Sequence, residues 1–417
     1  MKVLHAADIH LDSPLRGLSD YDGAPVEEIR GATRRAFGAM VDLAIEESVG
    51  LVLVAGDLYD GDWRDYNTGL YFVRETARLA DAGIPTVVVA GNHDAASQLT
   101  RSLRLPSAVR LLAHQAPETM VLDALGIAVH GQSFAARVVS EDLSAGYPAP
   151  VPGALNIGLL HTSLDGRPGH EPYAPCTVEG LRRRGYGYWA LGHVHRREVV
   201  SQEPWIVFPG NLQGRHARET GAKGCTLIEV AGDEVVGVEH RALDAVRWAA
   251  CEVDAAECRD LDAVLDRMER VIVGARAEAD DRTLALRLRV HGQCTADRRL
   301  RAHPQHLVSE SRALGNAVGG GRVWIERVLI DTSSPAAAGA RHDALGGLLD
   351  RLAAAGDSPQ RLIELTDGLA ELRGKLPREL LDGPEAVDPT DPAWIGSRLA
   401  DVRALLLQRL LEAEGER

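Results

Sequence analysis

Five short hydrophobic runs in the N-terminal half of this chain end in residues that packing alone does not call for. Val3-Leu4-His5-Ala6-Ala7 runs into Asp8-Ile9-His10, and Leu51-Val52-Leu53-Val54-Ala55 into Gly56-Asp57-Leu58-Tyr59-Asp60. Thr86-Val87-Val88-Val89-Ala90 ends in Gly91-Asn92-His93-Asp94. Asn156-Ile157-Gly158-Leu159-Leu160 ends in His161, and Gly187-Tyr188-Trp189-Ala190-Leu191 in Gly192-His193-Val194-His195. Runs of this length and composition read as buried strands. Between the first three lie two helical patterns. Val26, Ile29, Phe37, Met40, Val41 and Ile45 mark one; Thr68–Ala82 forms the other, closed by Gly83 and Pro85. Strand, helix, strand, helix, strand is a βαβ alternation, and such folds bind ligands at the carboxyl ends of their strands. All five polar clusters stand at that end.

The pooled strand-end residues are Asp8, His10, Asp57, Asn92, His161, His193 and His195. Two divalent metals sharing one carboxylate need about this set. Nitrogen and oxygen ligands without sulfur suit Mn²⁺, Fe or Zn²⁺. Two metals about 3.5–4 Å apart hold a hydroxide between them and clamp a phosphoryl group for in-line attack. His93 stands beside Asn92 but would point elsewhere, free to donate a proton or to place positive charge near a leaving oxygen. In an extended segment, side-chain alternation would aim both members of Asp8-x-His10, and both of His193-x-His195, the same way. One histidine at a strand end is usually structural, so the conjunction of five strand ends carries the reading.

At 417 residues the chain is long enough for two or three domains. Trp205–Phe208, Cys225–Val230 and Glu234–Val238 read as further strands, the last two joined by a turn at Gly232-Asp233. These complete a first domain over 1–245. Strand-like Ala249–Val253, Thr283–Val290 and Val323–Ile330 alternate with helical Leu261–Ala279 and Arg298–Leu314. They predict a small α+β domain over 246–332, a common size for a compact unit. Beyond a Ser/Pro/Ala-rich linker, 340–417 reads as a helical region. Its leucine stripes run through Leu345, Leu348, Leu349 and Leu352, then Leu362, Leu365, Leu369 and Leu372, then Leu399, Val402, Leu405, Leu406, Leu410 and Leu411. Five cysteines, an odd number with no C-x-x-C pair, fit buried thiols in a reducing cytoplasm. No secretory leader precedes the first strand, and no apolar run is long enough to span a membrane. The net charge of −14 argues against a polybasic nucleic-acid tail but leaves room for a local basic groove.

The motifs D-x-H, G-D-x-x-D, G-N-H-D, a lone H and G-H-x-H resemble those of the calcineurin-like metallophosphoesterases, and every element of that pattern is present. The resemblance implies a mixed α/β fold, a β-sandwich flanked by helices. It also implies that Asp8, His10, Asp57 and His195 hold one metal and that Asp57, Asn92, His161 and His193 hold the other, Asp57 bridging. His93 would be the catalytic histidine and Asp60 its orienting partner, with Asp94 left to stabilise its loop. Narrower similarities point to the YhaO-type DNA repair exonucleases, relatives of SbcD. They lie in His5–Leu15, in Pro209-Gly210-Asn211-Leu212-Gln213-Gly214-Arg215-His216 and in Glu219-Thr220-Gly221-Ala222-Lys223-Gly224. That group implies Mn²⁺, a DNA substrate, a capping domain at 246–332 and an SMC-like coiled-coil ATPase partner (YhaN/SbcC-like) that grips helices such as those of 340–417. A homodimer is compatible with it.

Arg215, His216 and Arg218 follow the last metal motif on a loop. They are expected either to touch a phosphate backbone or to form an ordinary surface of an arginine-rich protein. Tyr59 and Trp63 are expected either to stack on a base or to pack in the core. Three functions follow: a metal-dependent DNA exo/endonuclease, a phosphomonoesterase or cyclic-nucleotide phosphodiesterase on the same site, and a non-catalytic scaffold subunit. The intact ligand set and His93 favour the first two over the third.

Overall fold

The computed structural model describes residues 1–13, 26–60, 66–96, 105–166, 172–335, 347, 351, 354, 369–376, 387–396, 398–399, 402 and 406. Two compact units separate. One comprises Met1–Ala250, Ala275–Leu286 and Gly319–Glu326; the other comprises Cys251–Gly274, Arg287–Val318 and Arg327–Arg417.

The first unit is built on two six-stranded sheets. Strands β1 (Lys2–Ala6), β2 (Leu51–Ala55), β3 (Thr86–Val89) and β4 (Val109–Leu111) run parallel in one. Strands β5 (Glu118–Leu122), β6 (Ile127–Gly131), β7 (Leu155–His161), β8 (Tyr188–Gly192), β9 (Glu198–Gln202) and β10 (Trp205–Phe208) form the second, in the order β5-β6-β7-β8-β10-β9. The chain then returns to the first sheet through β11 (Gly224–Ala231) and β12 (Glu234–Ala242), giving β12-β11-β1-β2-β3-β4.

Strand alternation explains why the sheets stack. Val3, Leu51, Leu53, Val87 and Val89 share one core with Ile127, Val129, Ile157, Leu159, Tyr188 and Ala190 of the second sheet. Their neighbours Leu4, Ala6, Val52, Val54 and Val88 pack instead against helices. Those helices are α2 (Ala32–Glu46) and α3 (Tyr66–Asp81), with Phe37, Met40, Val41, Phe72 and Leu79 at the contact; α1 (Val26–Arg30) precedes α2 and buries Ile29 in a separate cluster with Trp248 and Trp324. The outer face of the second sheet buries Leu160, Trp189, Leu191, Ile206 and Phe208 beneath Tyr147, Leu164, Leu181 and Tyr186. Strands buried on both faces read as continuous apolar runs, which is how β1, β2, β3, β7 and β8 appear in the sequence. The first unit is a mixed α/β sandwich flanked by helices.

Further helices among the described residues are, in chain order, α4 (Asn92–Ala96), α5 (Val178–Arg182), α6 (Leu261–Glu278), α7 (Asp297–Ala302), α8 (Pro304–Gly319) and α9 (Ala370–Lys375). Strands β13 (Val246–Asp254), β14 (Thr283–Gln293) and β15 (Val323–Ser333) form a third sheet in that order. In the second unit Ser311 of α8 meets Met268 of α6, Oγ to Sδ 3.3 Å.

Two expectations need correction. The single helix read over Val26–Ile45 breaks at Gly31, and that over Arg298–Leu314 splits at Pro304, whose ring and missing N–H end a helix. Strands β4, β5 and β9 carry no pattern that separates them from loop, being very short or half-exposed, whereas β6 is fully buried, with an apolar Ile127-Ala128-Val129 run that sequence reading did not single out. Tyr59 packs in the core against Phe72, ring centroids 6.1 Å apart, and is not available to a base. Trp63, and the stripe positions Leu345, Leu348, Leu349, Leu352, Leu362, Leu365, Leu405, Leu410 and Leu411, lie outside the described residues. Leu372, Val402 and Leu406 are exposed. No disulfide joins any of the five cysteines, and among the described residues no helix is long and apolar enough to cross a membrane.

His5 ties the sheets together inside the sandwich. Its Nδ1 lies 3.0 Å from the Tyr188 hydroxyl and its Nε2 3.1 Å from the Leu191 carbonyl, so the first strand is pinned to β8. Burial pushes this imidazole down to about 3. Below its ordinary value of 6.5 the unfolded chain takes up a proton that the native protein refuses. Stability is therefore complete above that value and is lost as pH falls through it toward about 3. Urea unfolding from about pH 7.5 to about pH 5 should show His5→Gln with a slope shallower than wild type by up to ~1.4 kcal/mol per pH unit. Equal slopes would contradict the assignment of that acid sensitivity to His5.

Candidate metal centre

The parallel strands bring their carboxyl ends to one edge of the sandwich. Asp8 N donates to Gly56 O at 3.0 Å and His10 N to Asp57 O at 3.0 Å, continuing the pairing of β1 with β2 past the strand ends. There the backbone leaves the extended region. Asp8, His10, Asp57 and His193 have φ of 50°, 44°, 52° and 99°. Left-handed conformations are costly for residues with a Cβ, of order 1 kcal/mol or more each, and four of them fall at this one edge. The expectation that alternation aims Asp8 with His10, and His193 with His195, is thus corrected: these residues lie beyond the strands, and tight turns aim them. Glycine is required where the strand ends meet. A Cβ on Gly91 would lie 2.3 Å from Asp57 Oδ1, and one on Gly192 would lie 1.8 Å from Ala55 O.

The side chains converge. His161 Nδ1 stands 2.9 Å from the Ala55 carbonyl, which can only accept. A neutral ring then presents the Nε2 lone pair to Asn92 Oδ1 at 2.9 Å and to Asp57 Oδ2 at 3.6 Å. His195 Nδ1 is 2.6 Å from Glu219 Oε1, which leaves its Nε2 lone pair facing His10 Nε2 at 3.2 Å and Asp8 Oδ1 at 3.9 Å. His10 Nε2 is also 3.9 Å from Asp57 Oδ2. One oxygen, Asp57 Oδ2, therefore lies between two groups of imidazole nitrogens. His10 Nδ1 is buried without a hydrogen-bond partner. Whichever nitrogen carries its proton, one lone pair of His10 faces another acceptor. Acceptors about 3 Å apart are what two ligands at right angles on a common cation require at metal–nitrogen distances of about 2.1 Å. Asp8, His10 and His195 form one group able to hold an ion, and Asp8, Asp57 and His161 another. A third comprises His10, Asp60 and His93. His193 belongs to none of these groups. Its ring packs edge-on to His161, centroids 5.2 Å apart, while its backbone N–H donates to Asp8 at 3.0 Å.

The electrostatics fit the same need. Burial, then the neighbouring Asp57 charge, pushes the Asp8 carboxyl well above the usual carboxylate range. Burial raises Asp57 against the pull of the His93 charge and backbone N–H. Burial also lowers His10 and His195, the latter partly offset by Glu219, so these rings are poor counter-ions for the two carboxylates. The chemistry of the donor set fits divalent cations.

His93 and Asp60 stand beside this centre. His93 Nδ1 is 2.9 Å from Asp60 Oδ1, and His93 N donates to Asp57 Oδ1 at 2.9 Å. Burial works against a charged His93, but the Asp60 hydrogen bond and the Asp57 and Asp60 charges prevail and raise it. Burial likewise opposes the charge on Asp60. The nearby His10 at 3.7 Å, the His93 contact and the Ser13 hydroxyl at 2.7 Å together hold its carboxyl below the usual range. Asp94 accepts from the backbone N–H groups of Leu58, Tyr59 and Gly91 at 3.1, 2.9 and 3.0 Å, locking its loop to the next strand end.

Of the loop residues expected near a substrate, Arg215 reaches inward. Its guanidinium lies 3.7 Å from Asp60 and 3.6 Å from Glu219. His216 and Arg218 are exposed. Gly210, at positive φ, lets the backbone before this loop approach the His195–Arg197 segment. Glu219 is the contributor that sequence reading did not single out. The only signal was its position within the stretch resembling the YhaO-type nucleases.

Comparison with known proteins agrees with this geometry. Residues 1–197 match the calcineurin-like phosphoesterase family, and residues 248–333 match the middle domain of metallophosphoesterase YhaO. The chain is 35% identical over 273 residues to an uncharacterized metallophosphoesterase YhaO of Bacillus subtilis, covering 64% of this chain and 67% of that protein. It is 28% identical over 249 residues to the DNA double-strand break repair protein Mre11 of Sulfurisphaera tokodaii, covering 56% of this chain and 60% of the relative. A second Mre11, from Aeropyrum pernix, is 27% identical over 306 residues, with 67% and 70% covered. With its sandwich, its strand-end donors and these relatives, the chain belongs to the calcineurin-like metallophosphoesterases, a family of metal-dependent hydrolases.

Proposed function

We propose that this protein is a Mn²⁺-dependent nuclease that hydrolyses DNA phosphodiester bonds. The observation that carries the reading is Asp57 Oδ2 standing between the His10 side and the His161 side of the site, at 3.9 and 3.6 Å. Asp8, His10, Asp57 and His195 would hold one ion, and Asp57, Asn92, His161 and His193 the other. When bound, a pair of divalent cations supplies Lewis-acid polarisation of the phosphoryl group and a water of lowered pKa. DNA as substrate draws support from the relatives described as double-strand break repair proteins.

The chain's own residues divide the remaining work. Asp60 holds Nδ1–H of His93 and so turns Nε2 away from the carboxylate, with the side chain 31% exposed. A histidine whose proton is retained above its ordinary range is suited to protonate a leaving oxygen. Asp57 fixes the backbone of His93 and Asp60 fixes its ring, so the proton donor is oriented by the same carboxylate that separates the two groups of ligands. Arg215 sits against Asp60, placing positive charge beside the site.

Purified protein with Mn²⁺ should degrade linear DNA and cleave bis-p-nitrophenyl phosphate faster than the monoester. Preference for the monoester with no action on DNA would sink the nuclease reading. His93→Ala should lower kcat by roughly 10²–10⁴-fold while bound Mn²⁺, measured by elemental analysis, is unchanged. Loss of metal together with activity would move His93 into the ligand set.

A further inference from the structure

Glu219 is a carboxylate placed behind the site rather than in it. Its side chain is 8% exposed. Oε1 meets His195 Nδ1 at 2.6 Å, and Oε2 accepts from Arg215 N at 2.7 Å and from Asn211 Nδ2 at 2.9 Å. Arg215 Nη2 and His216 Nε2 lie 3.6 and 3.7 Å from Oε1. The residue's own N–H donates to His216 O at 2.9 Å, so the carboxylate is fixed from its backbone outward. An ionised carboxylate can only accept. Arg215 Nη2 also lies 3.4 Å from Nδ1, but the 2.6 Å carboxylate contact is the much closer one and puts the hydrogen of a neutral His195 on Nδ1, with its lone pair facing Asp8 and His10. The backbone of His195 is held separately, because Lys223 Nζ donates to its carbonyl at 2.8 Å.

His161 is oriented differently. Its Nδ1 meets a neutral carbonyl, that of Ala55, at 2.9 Å. One of the two histidines is backed by a charge and the other by a dipole. A partner that accepts from the far nitrogen fixes ring and tautomer, and a charged partner also raises the basicity of the ligating nitrogen.

We propose that Glu219 is a positioning residue for the metal site formed by Asp8, His10 and His195, setting the tautomer and the donor strength of His195. The inference rests on the two-metal reading and deepens it, since it makes the two sites unequal. Removing Glu219 weakens one site and spares the one served by His161.

The test is Mn²⁺ binding to the full-length apoprotein by calorimetry, with the unfolding temperature of each apoprotein measured alongside. Wild type should bind two ions. Glu219→Ala should lose roughly 10–100-fold in affinity at one site and little at the other. Glu219→Gln keeps an acceptor for Nδ1–H without the charge and should fall between the two; it also decides the matter if the alanine variant does not fold. Wild-type affinity at both sites in both variants would overturn the inference. So would equal weakening of both sites in step with lost apoprotein stability, which is what a mere loop anchor would give. A wild-type protein that binds no pair of ions overturns the two-metal reading itself, and this inference with it.

Discussion

Asp8 and Asp57 bury two carboxylates at the ends of neighbouring parallel strands, and the rest of the site answers that arrangement. Taking like charges out of water together is expensive unless positive charge is supplied. His10 and His195 are poor sources of it, because burial lowers both imidazoles below their ordinary value. Arg215 helps from one side but lies against Asp60 and Glu219. A centre built this way is incomplete as protein alone, and the facing lone pairs of His10, His195, His161 and Asn92 mark where cations fit.

The sandwich makes the arrangement affordable. Its inner core and its two outer cores fix β1, β2, β3, β7 and β8 on both faces, so the strand ends are rigid. Against that rigidity, four non-glycine residues can be held in left-handed turns, and Gly91 and Gly192 let backbones approach more closely than a Cβ permits. Outside the ligand set, Asp94 ties one strand-end loop to another, while Asp60 and Glu219 each orient one histidine. The site has an electrostatic grain, with His93 raised by Asp60 and Asp57 at its more exposed side and His10 and His195 lowered by burial within.

The residue types of the site were legible in the sequence because strands buried on both faces announce where they stop. The polar residue after each stop is conspicuous. How those residues are aimed was not legible: alternation presumes extended backbone, and Asp8, His10, Asp57 and His193 leave it. Glu219 was equally opaque. It lies 24 positions from His195, and their contact exists only because a loop folds back. In the fold, β5 and β9 are edge strands with half their residues facing solvent, so they read like loop, whereas Pro304 was a visible break in a helix that a periodic pattern had run through.

The most direct measurement is a crystal structure of the protein soaked in Mn²⁺, with an anomalous difference map at the strand ends. Two peaks about 3.5–4 Å apart, with the Asp57 carboxylate between them, are the predicted result. A single peak, or a pair that Asp57 does not touch, would contradict the shared-carboxylate centre.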